Sequence, residues 1–496
     1  MASSARKAPG ELSRDQANRE HAGRANQAAV QHGQRRQHGA SSARKRRRGP
    51  AAAVAARARD PAMKDEPVWF LLIGALLTFM AVARGPIRRL PLTGAMIYLL
   101  VGVAVGPAVS GLVGVDLLRN TALLATLAEV GLVVSLFSIG MHLRVRLRNP
   151  LWLLPLRLGG PAMLFTVALM FGFSALVTGL ADGAALFLAA ALAPTDPVLA
   201  NELRVTQAGD DEPVRFALSG EGGLNDGAAY PFAVLGLTLA GARLFGSGSG
   251  VHFVGSVLWG IVSALVIGCV FAIVFARAIF FLRTRYGEAI GLDGFLALGL
   301  MSTSYGAALL LHAYAFVAVF VAGVAVRHEE LRAMGDKNPS EVLDEVQHGE
   351  QVDVAQDPEM AHAVLAESMM GFMREMERLA ELSLMLIIGC VVSAHWREMF
   401  DLRAVLPAVF LFFVARPLSV VVAMMGARID NSQRHLMAWM GIRGVGAFYY
   451  LMFGLEYVRG AMTPLLPAVL DAIVLSVLLH GSTANYLLRR YFDRRR

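Results

Sequence analysis

The chain has 496 residues, 55% of them hydrophobic and only 17% charged, with two cysteines. A soluble chain of this size carries roughly a quarter charged residues, so the composition argues against a water-soluble enzyme and for a chain folded against lipid. The formal net charge of +8 is a property of one end: residues 1–62 hold fourteen Lys/Arg against four Asp/Glu, and the rest holds thirty-two against thirty-four.

Residues 1–62 are rich in Ala, Arg, Gln and Gly and include the run Arg44-Lys45-Arg46-Arg47-Arg48. Nothing there can build a core, so disorder is expected. Taken alone, such a tail could serve nucleic acid or acidic lipid. No apolar stretch follows the basic run closely enough for a secretory signal.

Beyond it, apolar stretches of spanning length follow one another. They are Pro67–Arg84, Pro91–Gly111, Thr121–Leu143, Leu153–Leu180, Gly183–Leu203, Pro213–Ala240, Phe253–Leu282, Ile290–Leu311, His312–Val326, Leu379–Ser393, Leu402–Met425, His435–Leu455 and Pro464–Leu488. The expectation is an all-α polytopic membrane protein of about thirteen transmembrane helices. Nine fall in 63–326 and four in 378–488, with a basic tail at 489–496. Cys269 and Cys390 lie inside apolar spans, too few and too deep for a disulfide framework or a Cys-based metal site.

Basic loops set the orientation. Arg88-Arg89, Arg144, Arg146, Arg148, Arg283, Arg285, Arg428, Arg434 and the C-terminal arginines all fall on one side if thirteen spans start outside and end inside. The C-terminus is then cytoplasmic, in a bacterial inner membrane. The basic head would sit on the wrong side, and Met63-Lys64-Asp65 makes a better start; we expect residues 1–62 to be foreign to the native protein.

Residues 327–377 form the long hydrophilic stretch inside the bundle. It is acidic, and its end from Met360 can form an amphipathic helix. It reads either as a solvated linker or as a regulatory element, since His328, His348 and His362 are of the type that titrates near neutrality. No nucleotide-binding domain or phosphate loop is present in the sequence, which argues against ATP-driven transport.

Charged groups inside spans are costly and usually functional. Here they are Glu129, Asp196, Glu221, Asp226, Arg416, Arg443 and Asp471, with His142 near a helix end. Asp196 lies in Ala193-Pro194-Thr195-Asp196-Pro197, where two prolines must break the helix. In a membrane such a break is tolerated only where it is buried in protein or lines a cavity, and broken helices facing ions are a recurrent transporter device. The next span carries Gly220-Glu221-Gly222-Gly223-Leu224-Asn225-Asp226-Gly227. Glu221 and Asn225 share a face, and Asp226 is turned away from Glu221. Arg443, in Gly441-Ile442-Arg443-Gly444-Val445-Gly446, suggests a second weakened helix. Its guanidinium needs a permanent anion, and we pair it with Glu221. Asp226 and Asp196 then have no fixed cation. A dry carboxylate holding either H⁺ or a small cation is the minimal chemistry of antiport.

At these residues the sequence resembles the NhaP-like and NHE-like branch of the monovalent cation/proton antiporter superfamily. The matching motifs are Ala193–Ala200, Gly220–Gly227 and Gly441–Gly446, and Leu127–Leu143 is similar to the family's third helix. The resemblance covers roughly Pro67 to Leu488. It implies a homodimer, inverted repeats with two crossing broken helices, and elevator-like alternating access, with no cofactor beyond the transported Na⁺ (or Li⁺ or K⁺) and H⁺. Carried over, Asp226 is the principal cation and proton site. Asp196 and Thr195 help ligate the alkali cation, Asn225 holds the crossing helix ends, and Glu221 pairs with Arg443. An Asn before the key Asp implies electroneutral exchange. Gly222 stands where the family usually has Ser, and Met141-His142 where the third helix usually ends in Gly-Leu-Glu. Glu129 is a possible accessory group, and Arg416-Pro417 resembles a family Arg-Pro pair, its Arg capping carbonyls or pairing with an acid.

The leading reading is therefore cation/proton exchange for pH and salt homeostasis, without nucleic acid. Its rivals are a K⁺ efflux transporter or channel-like relative, an intramembrane aspartyl hydrolase using Asp196 and Asp226, and a non-transporting receptor.

Overall fold

The computed structural model describes residues 66–87, 93–196, 212–243, 250–286, 292–333 and 361–494. The basic stretch 1–62, Met63-Lys64-Asp65, Arg88-Arg89, and residues 334–360 with His348 lie outside the described residues. The chain divides into a unit ending at Phe79 and one running from Met80 to Arg496; apart from the first part of α1, every residue discussed below belongs to the second.

All regular structure among the described residues is helical. In chain order it comprises α1 (Glu66–Ile87), α2 (Gly94–Val105), α3 (Thr121–His142), α4 (Leu153–Arg157), α5 (Met163–Leu176), α6 (Asp182–Leu192) and α7 (Pro213–Leu239). Then come α8 (Gly250–Tyr286), α9 (Asp293–Leu310), α10 (Ala315–Ala333), α11 (Ala361–His395), α12 (Leu402–Phe410) and α13 (Arg416–Ala423). The last are α14 (Asn431–Trp439), α15 (Val445–Tyr457), α16 (Arg459–Met462) and α17 (Leu466–Asp493).

Among the described residues, six helical stretches are long and apolar enough to cross a membrane: Thr121–His142, Pro150–Leu176, Val251–Leu282, Ala363–His395, Leu402–Ala423 and Arg459–Asp493. Other expected spans miss that standard for visible reasons. α6 is cut short at Leu192, α7 carries Arg215, Glu221 and Asp226, and α10 carries Arg327, Glu329 and Glu330. The stretch Ile290–Val326 divides into α9 and α10 at His312, whose φ of 52° lies in the left-handed region.

Helix starts follow capping chemistry. Glu212 accepts from the N–H groups of Val214 and Arg215, both at 2.9 Å, with Pro213 at the first helical position. Asp430 and Gln433 form a reciprocal capping box at α14.

One arrangement occurs twice. α4 and α5 are joined by a π-turn at Leu158–Ala162 holding Pro161; α6, which gives way to non-helical backbone after Leu192, and the long α7 follow. Likewise α12, which holds Pro407, joins α13 through a π-turn at Leu411–Ala415, and the interrupted pair α14–α15 and the long α17 follow. Wide turns of this kind mark local strain in the helical ladder, often at functional sites.

α3, α10 and α11 pack closely. A methyl group on Gly323 would lie 3.2 Å from the Cα of Gly140 and from the backbone N of Met141, so α3 and α10 touch backbone to backbone. α8 turns Val254, Leu258, Val262, Leu265 and Val266 outward, the apolar exterior of a lipid-facing helix.

α10 reaches further into 327–377 than the sequence suggests, continuing through Ala333, while α11 begins at Ala361, where the sequence places an amphipathic helix. Arg327, Glu330 and Glu377 are buried, where a solvated linker would expose them. The reason is electrostatic: these charges neutralise one another or accept hydroxyl donors. Arg327 pairs with Glu330, and Arg144 meets Glu330 at 3.4 Å and Glu367 at 2.6 Å. Glu377 accepts from Ser135 at 2.6 Å and Ser138 at 3.2 Å.

Candidate functional site

The site is assembled where two helices lose their backbone ladder. α6 ends at Leu192, and residues 193–196 leave the helix; Pro194 removes a donor there. The continuation beyond Asp196 lies outside the described residues. α14 ends at Trp439, residues 440–444 are non-helical, and α15 resumes at Val445. Gly444 adopts φ −169° and ψ −112° at that restart.

The two interruptions satisfy each other. The N–H of Asp196 donates to the carbonyl of Ile442 at 2.7 Å, and the N–H of Val445 donates to the Asp196 carboxylate. An acidic side chain at the first turn of α15 suits the positive end of the helix. Asp196 is thus built into the junction and 2% exposed.

α7 meets this junction through consecutive residues. Asn225 donates from Nδ2 to the Thr195 hydroxyl at 2.6 Å and its carbonyl at 3.4 Å. Asp226 is fully buried, and among the described residues neither of its carboxylate oxygens accepts a hydrogen bond. Its backbone carbonyl accepts from Tyr450 Oη at 2.6 Å. Gly446 lies against it: a Cβ there would stand 3.1 Å from Asp226 Oδ1. Asp196 and Arg443 both lie within Coulombic reach of Asp226.

The expected ion pair is corrected. Glu221 pairs with Arg416, not Arg443: Arg416 Nη1 meets Oε1, and Nη2 meets Oε2 at 2.8 Å. This two-point geometry is the strong form of the contact. Arg416 Nη2 also reaches the carbonyls of Met437 and Met440, at 3.2 and 3.3 Å, so it caps the end of α14 while neutralising Glu221. Arg443 turns to other orphan carbonyls. Its Nε donates to Leu192 at 2.6 Å, at the end of α6, and its Nη1 to Gly441 at 2.8 Å. Its backbone N–H donates to Ser476 Oγ at 2.7 Å. Each arginine answers the free carbonyls that a helix end leaves behind.

The remaining candidates separate. Gly222 is buried in α7 and supplies no side-chain oxygen. Glu129 is half-buried, and its carboxylate accepts from the Tyr305 hydroxyl. His142 bonds the Ser138 carbonyl at 2.7 Å through Nδ1. Asp471 is buried in α17 and accepts from the N–H of Phe400 at 3.1 Å, a residue held at φ 63°.

Sequence reasoning missed Tyr450, Ser476, Tyr305 and Arg327. Arg327 had a signal, an Arg–Glu pair three residues apart at the end of an apolar span. Tyr450 and Ser476 had none, since a hydroxyl in an apolar helix reads as ordinary packing.

Residues 74–490 match the family described as sodium/hydrogen exchanger, transmembrane. Among solved structures, the chain is similar to the sodium/proton antiporter MjNhaP1 of Methanocaldococcus jannaschii. The structure at pH 8 is 18% identical, with TM-score 0.63 over 86% of this chain and 98% of that one. An electron-microscopy structure of the same antiporter is 18% identical, with TM-score 0.64 over 85% and 97%. At that identity the likeness establishes the fold: an all-helical membrane architecture matching that of MjNhaP1. By the family match, the chain belongs to the sodium/hydrogen exchanger family, membrane transporters that need no cofactor, and is not an enzyme.

Proposed function

We propose that this protein exchanges one monovalent cation, Na⁺ or its neighbours Li⁺ and K⁺, for one proton across a bacterial inner membrane, and that it does so as a homodimer in pH and salt homeostasis. One observation carries this reading: the Asp226 carboxylate is fully buried beside the non-helical segments 193–196 and 440–444 and, among the described residues, accepts no hydrogen bond. A bare buried carboxylate is costly unless something neutralises it, and a proton and an alkali cation are the two candidates that leave again.

The local charge count supports a one-for-one exchange. Glu221, Asp196 and Asp226 supply three negative charges; Arg416 and Arg443 supply two positive ones. The remaining negative charge is balanced by one proton or by one monovalent cation. Asp226 carries the exchanged ion. Asp196 and Thr195, held by Val445 and Asn225, complete its oxygen surroundings. Glu221 is neutralised by Arg416, and Arg443 on the Leu192 carbonyl at the end of α6 keeps the junction rigid while the ion changes.

The test is dissipation of a pH gradient in proteoliposomes by Na⁺, Li⁺, K⁺ and Ca²⁺ in turn, with and without a clamped membrane potential. The expected result is dissipation by alkali cations, independent of the clamp, and its loss in Asp226→Asn. Wild-type exchange by Asp226→Asn would overturn the assignment. Cation flux without proton movement would replace it by a K⁺ efflux or channel-like activity.

A further inference from the structure

α17 turns a polar face toward the second interruption. Ser476, His480 and Thr483 stand at i, i+4 and i+7 and so lie on one side of the helix. Thr483 Oγ1 accepts from Trp439 Nε1 at 3.1 Å, at the end of α14. Ser476 Oγ accepts from the N–H of Arg443 at 2.7 Å, just before α15 resumes. His480 stands between these two contacts. Its Nδ1 is 3.0 Å from Ser476 Oγ. Its ring meets Phe412 edge to face, with centroids 5.1 Å apart, and Trp439 at 5.5 Å. Ser476 and His480 are both buried, where a polar group is costly unless a partner answers it.

The first half of the fold holds a counterpart. There the long α7 reaches residues 193–196 through Asn225, which donates to Thr195. α17 follows α14–α15 as α7 follows α6, and it reaches residues 440–444 through Ser476. The two halves meet on one strip of backbone. The carbonyl of Ile442 accepts from the N–H of Asp196, the N–H of Arg443 goes to Ser476, and the N–H of Val445 goes to the Asp196 carboxylate. A shift of that strip therefore moves Asp196.

We propose that Ser476 and His480 are a positioning pair for the exchanged cation. A neutral imidazole has one acceptor nitrogen; here Nδ1 takes the Ser476 hydroxyl proton, which turns an Oγ lone pair onto the Arg443 N–H. The pair thereby holds residues 442–445, and through them the Asp196 carboxylate beside Asp226. Neither side chain touches the ion. The inference rests on the exchange reading above and adds α17 as the outer support of its site.

The test separates the ring of His480 from its nitrogen. His480→Phe keeps an aromatic ring against Phe412 and Trp439 and removes Nδ1; His480→Asn keeps a polar acceptor near that position and removes the ring. Ser476→Ala and Ser476→Thr remove and keep the hydroxyl. Na⁺-driven exchange in proteoliposomes is measured over a range of Na⁺. We expect His480→Phe and Ser476→Ala each to raise the apparent KM about tenfold, the lower end of what loss of an outer partner costs a metal site, with the maximal rate little changed. His480→Asn and Ser476→Thr should stay close to the wild-type KM. The reverse order at His480, with Phe harmless and Asn harmful, would make the residue a packing element and overturn the inference. An unchanged KM in either His480→Phe or Ser476→Ala, or a fall in maximal rate alone, also overturns it. If His480→Phe does not fold, Ser476→Ala against Ser476→Thr decides; failure of both His480→Phe and Ser476→Ala to fold marks the pair as structural and overturns the inference. Loss of exchange in the wild type, or full exchange in Asp226→Asn, defeats the exchange reading instead.

Discussion

Arg416 holds Glu221 by two parallel contacts in a part of the bundle where Glu221 is 2% and Arg416 3% exposed. A buried pair contributes little against an apolar replacement, yet breaking it strands a charge and costs roughly 3–5 kcal/mol. We therefore expect Arg416→Ala to destabilise the protein by about that much, read as thermal unfolding in detergent. A double-mutant cycle should show Glu221 coupled to Arg416 by about 0.5–3 kcal/mol, and more weakly to Arg443. Equal coupling to both arginines would contradict the geometry.

The two interruptions were legible from the sequence because prolines and glycines act on the backbone wherever they stand. Pro194 breaks α6, and Gly441 and Gly444 flank the loss of helix before α15. The cluster of Thr195, Asn225 and Asp226 was legible because charge and amide are rare in apolar spans. The partner of Glu221 was not. Two buried arginines, 195 and 222 positions along the chain from it, satisfy the same charge requirement, and the sequence does not reveal that the Leu192 and Gly441 carbonyls occupy Arg443 while Arg416 faces Glu221.

Gly446 leaves the space beside Asp226 that an ion would need. A Cβ there would stand 3.1 Å from Oδ1, tighter than ordinary contact. Overpacking of this kind costs roughly 1–3 kcal/mol, and part of it falls on the bound ion. Gly446→Ala should raise the KM for cations, most for K⁺, less for Na⁺ and least for Li⁺, because the larger ion needs more of that space. Transport assays with the three chlorides check the order; equal effects on all three would place the ion elsewhere.

If proton and cation compete for one carboxylate, acid must weaken cation binding. Protonation removes the charge that the cation needs, so below the site's own pKa each unit of pH lowers the fraction available about tenfold. The apparent KM should rise by the same factor per unit, with the maximal rate at saturating cation falling much less. The local count of three carboxylates and two guanidiniums predicts that clamping the membrane potential leaves the rate unchanged. A KM independent of pH would separate the proton and cation sites, and a voltage-dependent rate would break the one-for-one count.

The charge cluster at the far end of α10 allows a prediction in which exposure alone decides the outcome. Arg327 is fully buried, donates to the Met141 carbonyl at 2.6 Å and pairs with the buried Glu330. Arg374 belongs to the same network, but it is 44% exposed and stands 3.8 Å from Glu367. Removing Arg327 leaves Glu330 with Arg144 at 3.4 Å as its remaining cation and opens a carbonyl at the end of α3. Removing Arg374 exposes nothing that water cannot solvate. Arg327→Ala should therefore cost about 3–5 kcal/mol, and Arg374→Ala about 0–1 kcal/mol. The first loss should be insensitive to salt, because a dry pair is poorly screened. Thermal unfolding in detergent at low and high NaCl reads both. A large, salt-dependent loss in Arg374→Ala, or a negligible one in Arg327→Ala, would mean that this end of the bundle is hydrated and that α10 does not carry its charge inside.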